Sequence, residues 1–213
     1  MKIIPATYCV TAPDLDAPDI AAKVYKKIES AGRTCYKSDV KNEDGRAERF
    51  VRQLITDGHE AMLEHSRMSV IFTVDRGVSH EMVRHRIASF AQESTRYCNY
   101  SKDKFGNEIT VIKPWFLIGD NSSREFNDWS RAMVECENRY LDMIAAGRSP
   151  QEARSVLPNS LKTEIMVTAN YREWRAIFKL RAAPSAHPEM CQIMRALLAY
   201  VKTQVPVVFD DIP

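Results

Sequence analysis

Residues 84–97 form a dense run of side chains that can bind anions. Three of these positions are arginine, and the run also holds a histidine, a glutamine and three Ser or Thr hydroxyls. A guanidinium group presents a planar fork of N–H donors that matches the oxygens of a phosphate or carboxylate. The pattern therefore indicates a site for negatively charged ligands. In order, the residues are Arg84, His85, Arg86, Ile87, Ala88, Ser89, Phe90, Ala91, Gln92, Glu93, Ser94, Thr95, Arg96 and Tyr97.

The spacing of Arg84 and Arg86 bears on how many ligands this run binds. If both lie in the last turn of a helix, their side chains point about 200° apart, because successive residues rotate by about 100°. They then cannot hold one phosphate from one face, and we expect each arginine to serve its own anionic ligand. A second interpretation stays open, since basic residues near a helix C-terminus also stabilise the helix by about 0.3–1 kcal/mol each.

The elements around this run are predicted from apolar spacing, helix caps and turn residues. Up to residue 45 they are a strand over 2–10, a helix with Pro18 in its first turn and Gly32 just past its end, and a mobile surface loop between Lys37 and Gly45. From there to residue 99 they are a helix over 46–57 capped by Gly58, a strand over 68–74, a helix from a Ser79 cap to about 86, and an ordered loop over 87–99. Beyond it they are a long helix over 126–147, a helix begun by the capping box at Ser149, a strand over 163–169, a helix capped by Asn170 and Glu173 that reaches Arg181, and a last helix over 190–201.

Length and composition limit the class of protein. The chain has 213 residues, so we expect a single domain over 1–213. A net charge of +2 creates no long-range field, and we expect neither nucleic acid nor membrane as a partner. The five cysteines are widely spaced and form no C-x-x-C pair, which fits reduced thiols in the cytosol. No signal peptide and no apolar run of about 20 residues is present, so we expect a soluble cytoplasmic protein.

Three further readings concern the kind of site. The seven glycines form no phosphate-binding loop, so side chains must hold any dinucleotide.

His59-Glu60 resembles the start of a zinc-binding H-E-x-x-H helix, but His65 lies six positions after His59 and about 120° off that face, so we expect no metal. Phe90, Tyr97 and Tyr100 between the arginines would also suit a single-stranded RNA platform, which the low net charge and the lack of a second basic patch disfavour.

The arginine run also resembles a family signature. Arg84-His85-Arg86, followed after seven residues by Ser94, resembles the RHR-x7-S motif of the flavin-dependent thymidylate synthases. The resemblance covers about residues 30–195 and implies an α+β protomer, with a mixed sheet flanked by helices, that assembles as a homotetramer with FAD between subunits. The other matching segments are Gly58-His59-Glu60, Glu64-His65, residues 153–158, Asn170-Tyr171-Arg172 and Leu180-Arg181.

The same resemblance implies an activity and a set of site residues. The activity is methylation of dUMP to dTMP with FAD as cofactor, 5,10-methylenetetrahydrofolate as methylene donor and NADPH as hydride source. The residues that correspond to the dUMP site are Glu81, Arg84, Gln92, Ser94, Thr95, Arg96, Arg154 and Arg181. Those that correspond to the FAD site are His59, Ala61, Arg84, His85, Arg86, Asn170 and Arg172.

Two of these residues are the catalytic candidates. Arg181 corresponds to the arginine that stabilises negative charge at the N3/O2 edge of uracil. A fixed cation stabilises such charge most strongly in a site from which water is excluded. Ser94 corresponds to a serine once proposed as nucleophile, but it has no evident neighbouring base, so we expect it to position dUMP. Methylation of another pyrimidine nucleotide such as UMP stays open, because pocket shape near the 2′ position decides between the sugars.

Overall fold

Helices and strands alternate irregularly along the chain, which the computed structural model describes for residues 1–37 and 45–213. The loop predicted between Lys37 and Gly45 lies outside the described residues. The strands are β1 Lys2–Ile4, β2 Thr7–Ala12, β3 Arg67–Asp75, β4 Ala88–Gln92, β5 Thr110–Ile112 and β6 Lys162–Asn170. The helices are α1 Ile20–Tyr36, α2 Arg46–Thr56, α3 Arg76–Met82, α4 Arg124–Ala145, α5 Pro150–Ala153, α6 Tyr171–Arg181, α7 Pro188–Gln204 and α8 Pro206–Phe209. Short 3-10 helices lie at Glu60–His65, Asp103–Phe105, Trp115–Leu117 and Arg154–Val156.

The strands of the described residues form two sheets. One has four strands in the order β2-β3-β6-β4, and in the other β1 pairs with β5 in parallel, with Lys2 opposite Thr110. Along β3, alternate side chains from Met68 to Val74 are fully buried, as the period of two in the sequence predicts. The expected α+β class is confirmed.

The described residues divide into two compact units, each built from separate stretches of sequence. Unit 1 comprises Met1–Thr7, Phe72–Arg84 and Phe90–Met166, and unit 2 comprises Tyr8–Ile71, His85–Ser89 and Val167–Pro213. The single domain expected over residues 1–213 stays a prediction.

Unit 1 has a hydrophobic core beside the long helix α4. Met133 and Tyr140 lie seven positions apart on α4, so they share the buried face of the helix. The Tyr140 ring lies 5.6 Å from that of Tyr100, and its hydroxyl accepts a hydrogen bond from the Tyr100 N–H. The core therefore fixes the start of the chain segment that follows the arginine run. Its buried members are Tyr100, Ile109, Val111, Met133, Tyr140, Ala153 and Leu161.

Unit 2 has an aromatic core around α6. The rings of Trp174 and Phe178 lie 5.5 Å apart, and Phe209 of α8 packs edge-on against Phe178. The Trp174 indole N–H donates to the Met68 carbonyl at 2.9 Å, so the one polar atom of this buried ring is satisfied. Burial of each large apolar side chain contributes about 1.5–3 kcal/mol, which makes α6 a rigid support.

Several sequence-based boundaries were wrong for identifiable reasons. The helix predicted to end before Gly32 continues to Tyr36. A Cβ at position 32 would lie 2.7 Å from the Phe50 ring, so the glycine allows Phe50 of α2 to pack closely against α1. The first strand is two strands, β1 and β2, and Pro5, which lacks an N–H donor, lies between them. The capping box at Ser149, the Asn170 cap and the last helix are confirmed.

The segment before the arginine run also differs from the prediction. Asp75 caps α3, and its side chain accepts a hydrogen bond from the Val78 N–H at 2.6 Å, whereas Ser79 is buried inside the helix. Because α3 ends at Met82, Arg84 and Arg86 lie outside it, and the rotation of about 200° does not apply. The ordered loop predicted over 87–99 begins instead with strand β4.

Arg175 lies at the centre of an ion-pair network in unit 2, and we expect its replacement to destabilise the fold. Its side chain is 1% exposed and binds Asp211 at 2.6 Å and Glu60 at 3.0 Å. We expect Arg175→Ala to lower the free energy of unfolding by about 3 kcal/mol, at the low end for a broken buried ion pair, because both carboxylates lose their cation but Asp211 is 47% exposed to water. Urea denaturation measures this change. Arg124→Ala is the control, since that arginine is 90% exposed on α4; an equal effect of the two variants would contradict the prediction.

Candidate functional site

In unit 2, Arg181, His85 and Glu173 form a continuous chain of polar contacts. The Arg181 Nε donates a hydrogen bond to His85 Nε2 at 3.0 Å, and His85 Nδ1 lies 3.6 Å from Glu173 Oε1. The side chains of His85 and Glu173 are 11% and 13% exposed. Since a guanidinium has only donors, Nε2 of His85 must present its lone pair, which places the ring proton on Nδ1, facing Glu173.

Helix α6 brings two of these three groups together. Glu173 lies in its first turn and Arg181 at its end, eight residues on, which is about 12 Å along the axis and about 80° around it. Side chains on a helix lean toward its N-terminus, so the long Arg181 side chain can reach back to a ring that also faces Glu173. Asn170 fixes the start of α6, because its side-chain oxygen accepts a hydrogen bond from the Glu173 N–H at 2.8 Å.

Burial also affects the Glu173 carboxyl. It raises the pKa of Glu173, because the ionised form loses hydration that the surrounding groups replace only in part. The carboxyl lies at the far end of the contact chain from Arg181. The arrangement thus places one acidic and one basic group on opposite sides of the same imidazole.

A basic cleft of about 430 Å³ lies elsewhere in unit 2. Among its described lining residues the only carboxylate is Glu64, and that side chain accepts a hydrogen bond from Arg172 at 2.7 Å. Within the described part of the chain, Lys27, Arg67 and Arg86 form no ion pair, so the cleft has an excess of positive charge suited to phosphate. Its lining residues are Lys27, Glu64, His65, Arg67, Arg86, Ile87, Ala88, Ser89, Thr168, Ala169 and Asn170.

The candidates for FAD binding fall into three groups. Arg86 and Asn170 line the basic cleft, and Arg172 contacts its rim through Glu64. The His85 side chain is engaged with Arg181. His59 immediately precedes the 3-10 helix Glu60–His65, in which Ala61 is exposed. All the FAD candidates except Arg84 belong to unit 2.

In unit 1, buried hydroxyls fix the end of β4. Gln92 donates through Nε2 to Ser79 Oγ at 2.8 Å and to Thr163 Oγ1 at 3.2 Å. Glu93 is held in turn by Lys162, whose Nζ lies 2.8 Å from Oε2, and by the Tyr100 hydroxyl at 3.4 Å. The chain is therefore anchored immediately before Ser94.

The Ser94 hydroxyl lies in a tight turn that follows this anchor. It accepts a hydrogen bond from the Arg96 N–H at 3.3 Å, while its carbonyl accepts from Tyr97 and Cys98. Within the described residues no histidine or carboxylate hydrogen-bonds to this hydroxyl, so nothing there activates it as a nucleophile. Arg154 donates to the Thr95 hydroxyl at 3.4 Å. This arrangement is suited to binding a substrate.

The remaining dUMP candidates lie near the end of α3. Glu81 is half-buried, and its carbonyl accepts a hydrogen bond from the N–H of Arg84, whose side chain is exposed. All the dUMP candidates except Arg181 belong to unit 1. Apart from Arg181 and Arg84, the dUMP candidates therefore belong to unit 1 and the FAD candidates to unit 2, and their individual roles stay predictions.

We expect Ser94→Ala to lower kcat/KM by about tenfold at most. A positioning hydroxyl contributes about 0.5–1.5 kcal/mol, or roughly tenfold at most in kcat/KM, whereas removal of a nucleophilic serine costs about 10⁶-fold in kcat. Steady-state rates with dUMP measure the difference. Ser101→Ala is the control, since that serine hydrogen-bonds within its own turn to Asn99. A loss beyond 10⁴-fold in folded Ser94→Ala would show that the serine acts covalently.

Sequence reasoning missed three residues. Glu173 was assigned only to the cap of α6, and Lys27 and Arg67 belong to no motif. Lys27 comes from α1 and Arg67 from the start of β3, and only the fold brings them beside Arg86. For Glu173, a usable signal was its place in the first turn of a helix that ends at the catalytic candidate Arg181.

Residues 1–37 and 45–213 contain no group of three or more His, Cys, Asp or Glu side chains arranged to hold a metal ion. Of the helices described, none has both the length and the apolar character to cross a bilayer.

Comparison with known proteins gives the family. The family model described as thymidylate synthase complementing protein matches residues 21–207. A flavin-dependent thymidylate synthase of Corynebacterium aurimucosum is 32% identical over 93% of this chain and 84% of its own length. The chain belongs to the flavin-dependent thymidylate synthase family. The family and the enzyme class expected from the sequence are thereby confirmed.

Other matches agree with this family. A flavin-dependent thymidylate synthase of Mycobacteroides abscessus is 31% identical over 99% of this chain and 88% of its own length. The crystal structure of the UMP/dUMP methylase PolB from Streptomyces cacaoi, bound with 5-Br dUMP, superposes with a TM-score of 0.72 and 19% identity. It covers 99% of this chain and 96% of the other, so the two proteins share their fold.

Proposed function

We propose that this enzyme methylates dUMP at C5 to give dTMP, with FAD as cofactor, methylenetetrahydrofolate as one-carbon donor and NADPH as reductant. The strongest support is Arg181, whose guanidinium is held at Nε by His85 in a chain of this family. The anchored turn from Gln92 to Arg96 and the basic cleft supply further groups for two anionic ligands.

Arg181 would activate the pyrimidine electrostatically. The uracil C5 is a poor nucleophile, and negative charge that develops at the N3/O2 edge of the ring before the attack would raise the electron density at C5. The hydrogen bond to His85 Nε2 fixes the plane of the Arg181 guanidinium before substrate arrives, so little reorganisation is needed when that charge develops. Ser94, Thr95 and Gln92 would position the nucleotide, and Arg84, Arg96 and Arg154 are the cations available for its phosphate.

The basic cleft has donors that fit a flavin dinucleotide. Lys27, Arg67 and Arg86 offer charge for a pyrophosphate, and Asn170 offers a neutral polar group beside them. FAD, when bound, supplies the redox and one-carbon transfer chemistry that these side chains lack. We further propose a homotetramer in which different subunits contribute to one site, and a cytosolic location, where the five free thiols stay reduced.

Methylation of UMP is a second candidate, because the structural neighbour PolB is described as a UMP/dUMP methylase. Anaerobic turnover with methylenetetrahydrofolate and NADPH, given either dUMP or UMP, decides between them by chromatography of the methylated nucleotide. We expect dTMP from dUMP, and no product when either co-substrate is omitted. A methylated product from UMP but not from dUMP would make UMP the substrate. No product from either nucleotide would overturn the proposed function.

The cleft gives a prediction on cofactor retention. We expect Lys27→Ala and Arg67→Ala each to weaken FAD binding about 10-fold, because each removes a charge-assisted contact to phosphate worth about 1.5 kcal/mol. Flavin fluorescence during dialysis measures the loss. Lys23→Ala is the control, since Lys23 is also on α1 but donates to the Pro18 carbonyl. Unchanged flavin retention in both cleft variants would place the dinucleotide elsewhere.

A further inference from the structure

We propose that Glu173 is a positioning residue that acts on Arg181 through His85, by holding the imidazole in the form whose Nε2 accepts the Arg181 hydrogen bond. This inference rests on the proposed function for the role of Arg181. It adds a residue that neither the signature motif nor the helix cap identifies as part of the site.

The imidazole must be in one tautomer for the observed contact to exist. An arginine donates only, so His85 Nε2 has to carry a lone pair, and a neutral ring then carries its proton on Nδ1. With the proton on Nε2 instead, two N–H groups would face each other and the contact would be lost. A doubly protonated ring would add a second positive charge beside the guanidinium.

Glu173 is placed to select that tautomer. Its Oε1 lies 3.6 Å from Nδ1, which is longer than a hydrogen bond but close enough for electrostatic attraction to an N–H at that nitrogen. A carboxylate accepts and does not donate, so it favours Nδ1–H and disfavours the other neutral form. The low exposure of both side chains strengthens this preference, because little water competes for the ring nitrogen.

The contacts among Glu173, His85 and Arg181 determine both the charge balance of the three groups and the orientation of the guanidinium. Glu173 and Arg181 have opposite charges on either side of a neutral imidazole, so the three groups form a balanced set in a largely buried region. Fixing the ring fixes the arginine Nε, and with it the plane of the guanidinium. Positioning partners of this kind typically change rates or affinities by 10- to 100-fold.

The test compares Glu173→Ala and Glu173→Gln with the wild type. We expect Glu173→Ala to lower kcat about 10- to 100-fold with a smaller change in the KM for dUMP, since the Arg181 charge remains but loses its orientation. Glu173→Gln should recover most of this loss, because its amide oxygen can still accept from Nδ1–H. Glu125→Ala is the matched control: Glu125 is an exposed acid in the first turn of α4, so its removal tests a general effect on a helix N-terminus.

A spectroscopic readout separates this inference from the proposed function. In protein labelled with ¹⁵N-histidine, the ring shifts of His85 should show Nδ1–H in the wild type and in Glu173→Gln, and a mixture of tautomers in Glu173→Ala. That result stands even if the wild type makes no dTMP, in which case only the proposed function fails. An unchanged His85 tautomer in folded Glu173→Ala, or a kcat within twofold of the wild type, would overturn the inference.

Discussion

Replacement of Arg181 by alanine should lower kcat about 10²- to 10³-fold, the largest loss we expect in the site. The guanidinium is fixed by His85 at 3.0 Å, so it contributes a charge that needs no reorganisation when the uracil ring becomes negative. Because that interaction grows as the charge develops, kcat should fall more than the affinity for dUMP. Single-turnover rates at saturating dUMP measure the effect on the chemical step.

Lys179→Ala provides the control for the Arg181 prediction. Both residues lie in the last turn of α6, and the Lys179 side chain is exposed, so its loss reports on the helix terminus and on net charge alone. Circular dichroism of both variants checks that α6 remains folded. A kcat for Arg181→Ala within threefold of that for Lys179→Ala would rule out electrostatic activation by this arginine.

Replacement of Arg84 by alanine should weaken dUMP binding about 10- to 100-fold. A charge-assisted hydrogen bond to phosphate contributes about 1.5–3 kcal/mol, and Arg84 follows α3 in unit 1 with the other dUMP candidates. Because Arg84 is also implied in FAD binding, flavin retention should fall in the same variant. Isothermal titration of the flavin-loaded protein with dUMP measures the first effect, and flavin released on dialysis measures the second.

Arg86→Ala is the matched variant for Arg84, two positions away in the same motif. Arg86 lines the basic cleft of unit 2, so its loss should reduce flavin retention and leave the dUMP affinity of the loaded protein within about threefold. Equal effects of the two substitutions on dUMP affinity would contradict the assignment of Arg84, and not Arg86, to the dUMP site.

The sequence predicts those parts of the fold that depend on local physical chemistry. The buried face of α4, the last helix and the alternation along β3 follow from apolar period, and the caps at Ser149 and Asn170 follow from side chains that reach backbone N–H groups nearby. Each of these signals involves residues only a few positions apart. Their agreement with the structure is therefore expected.

The incorrect predictions lie where residues far apart in the sequence determine the local structure. Gly32 resembles a helix terminator, yet α2 packs against it through Phe50, a contact with no local signature. Strand β4 contains Ala, Ser and Gln, which have little intrinsic strand preference, so only pairing within the sheet defines it. Asp75 and Ser79 both fit a helix cap by residue type, and the fold selects the first.

The candidate site likewise has residues that the sequence identifies and contacts that only the fold shows. The RHR-x7-S motif and the family resemblance identified Arg84, Ser94 and Arg181 as candidates, because their residue types and order are specific. The contact between His85 and Arg181 joins residues 96 positions apart, and only the fold shows that Glu173 lies on the other side of the same ring. Resemblance therefore supplied the residues, and the structure supplied their geometry.

The most direct test of the account is a spectral titration of the purified protein with dUMP. We predict a yellow protein whose flavin absorbance changes saturably as dUMP is added, because Arg84 is implied in the binding of both ligands. Arg84→Ala should shift the midpoint to higher dUMP concentration. A colourless protein that neither takes up added FAD nor binds dUMP would contradict the central claim.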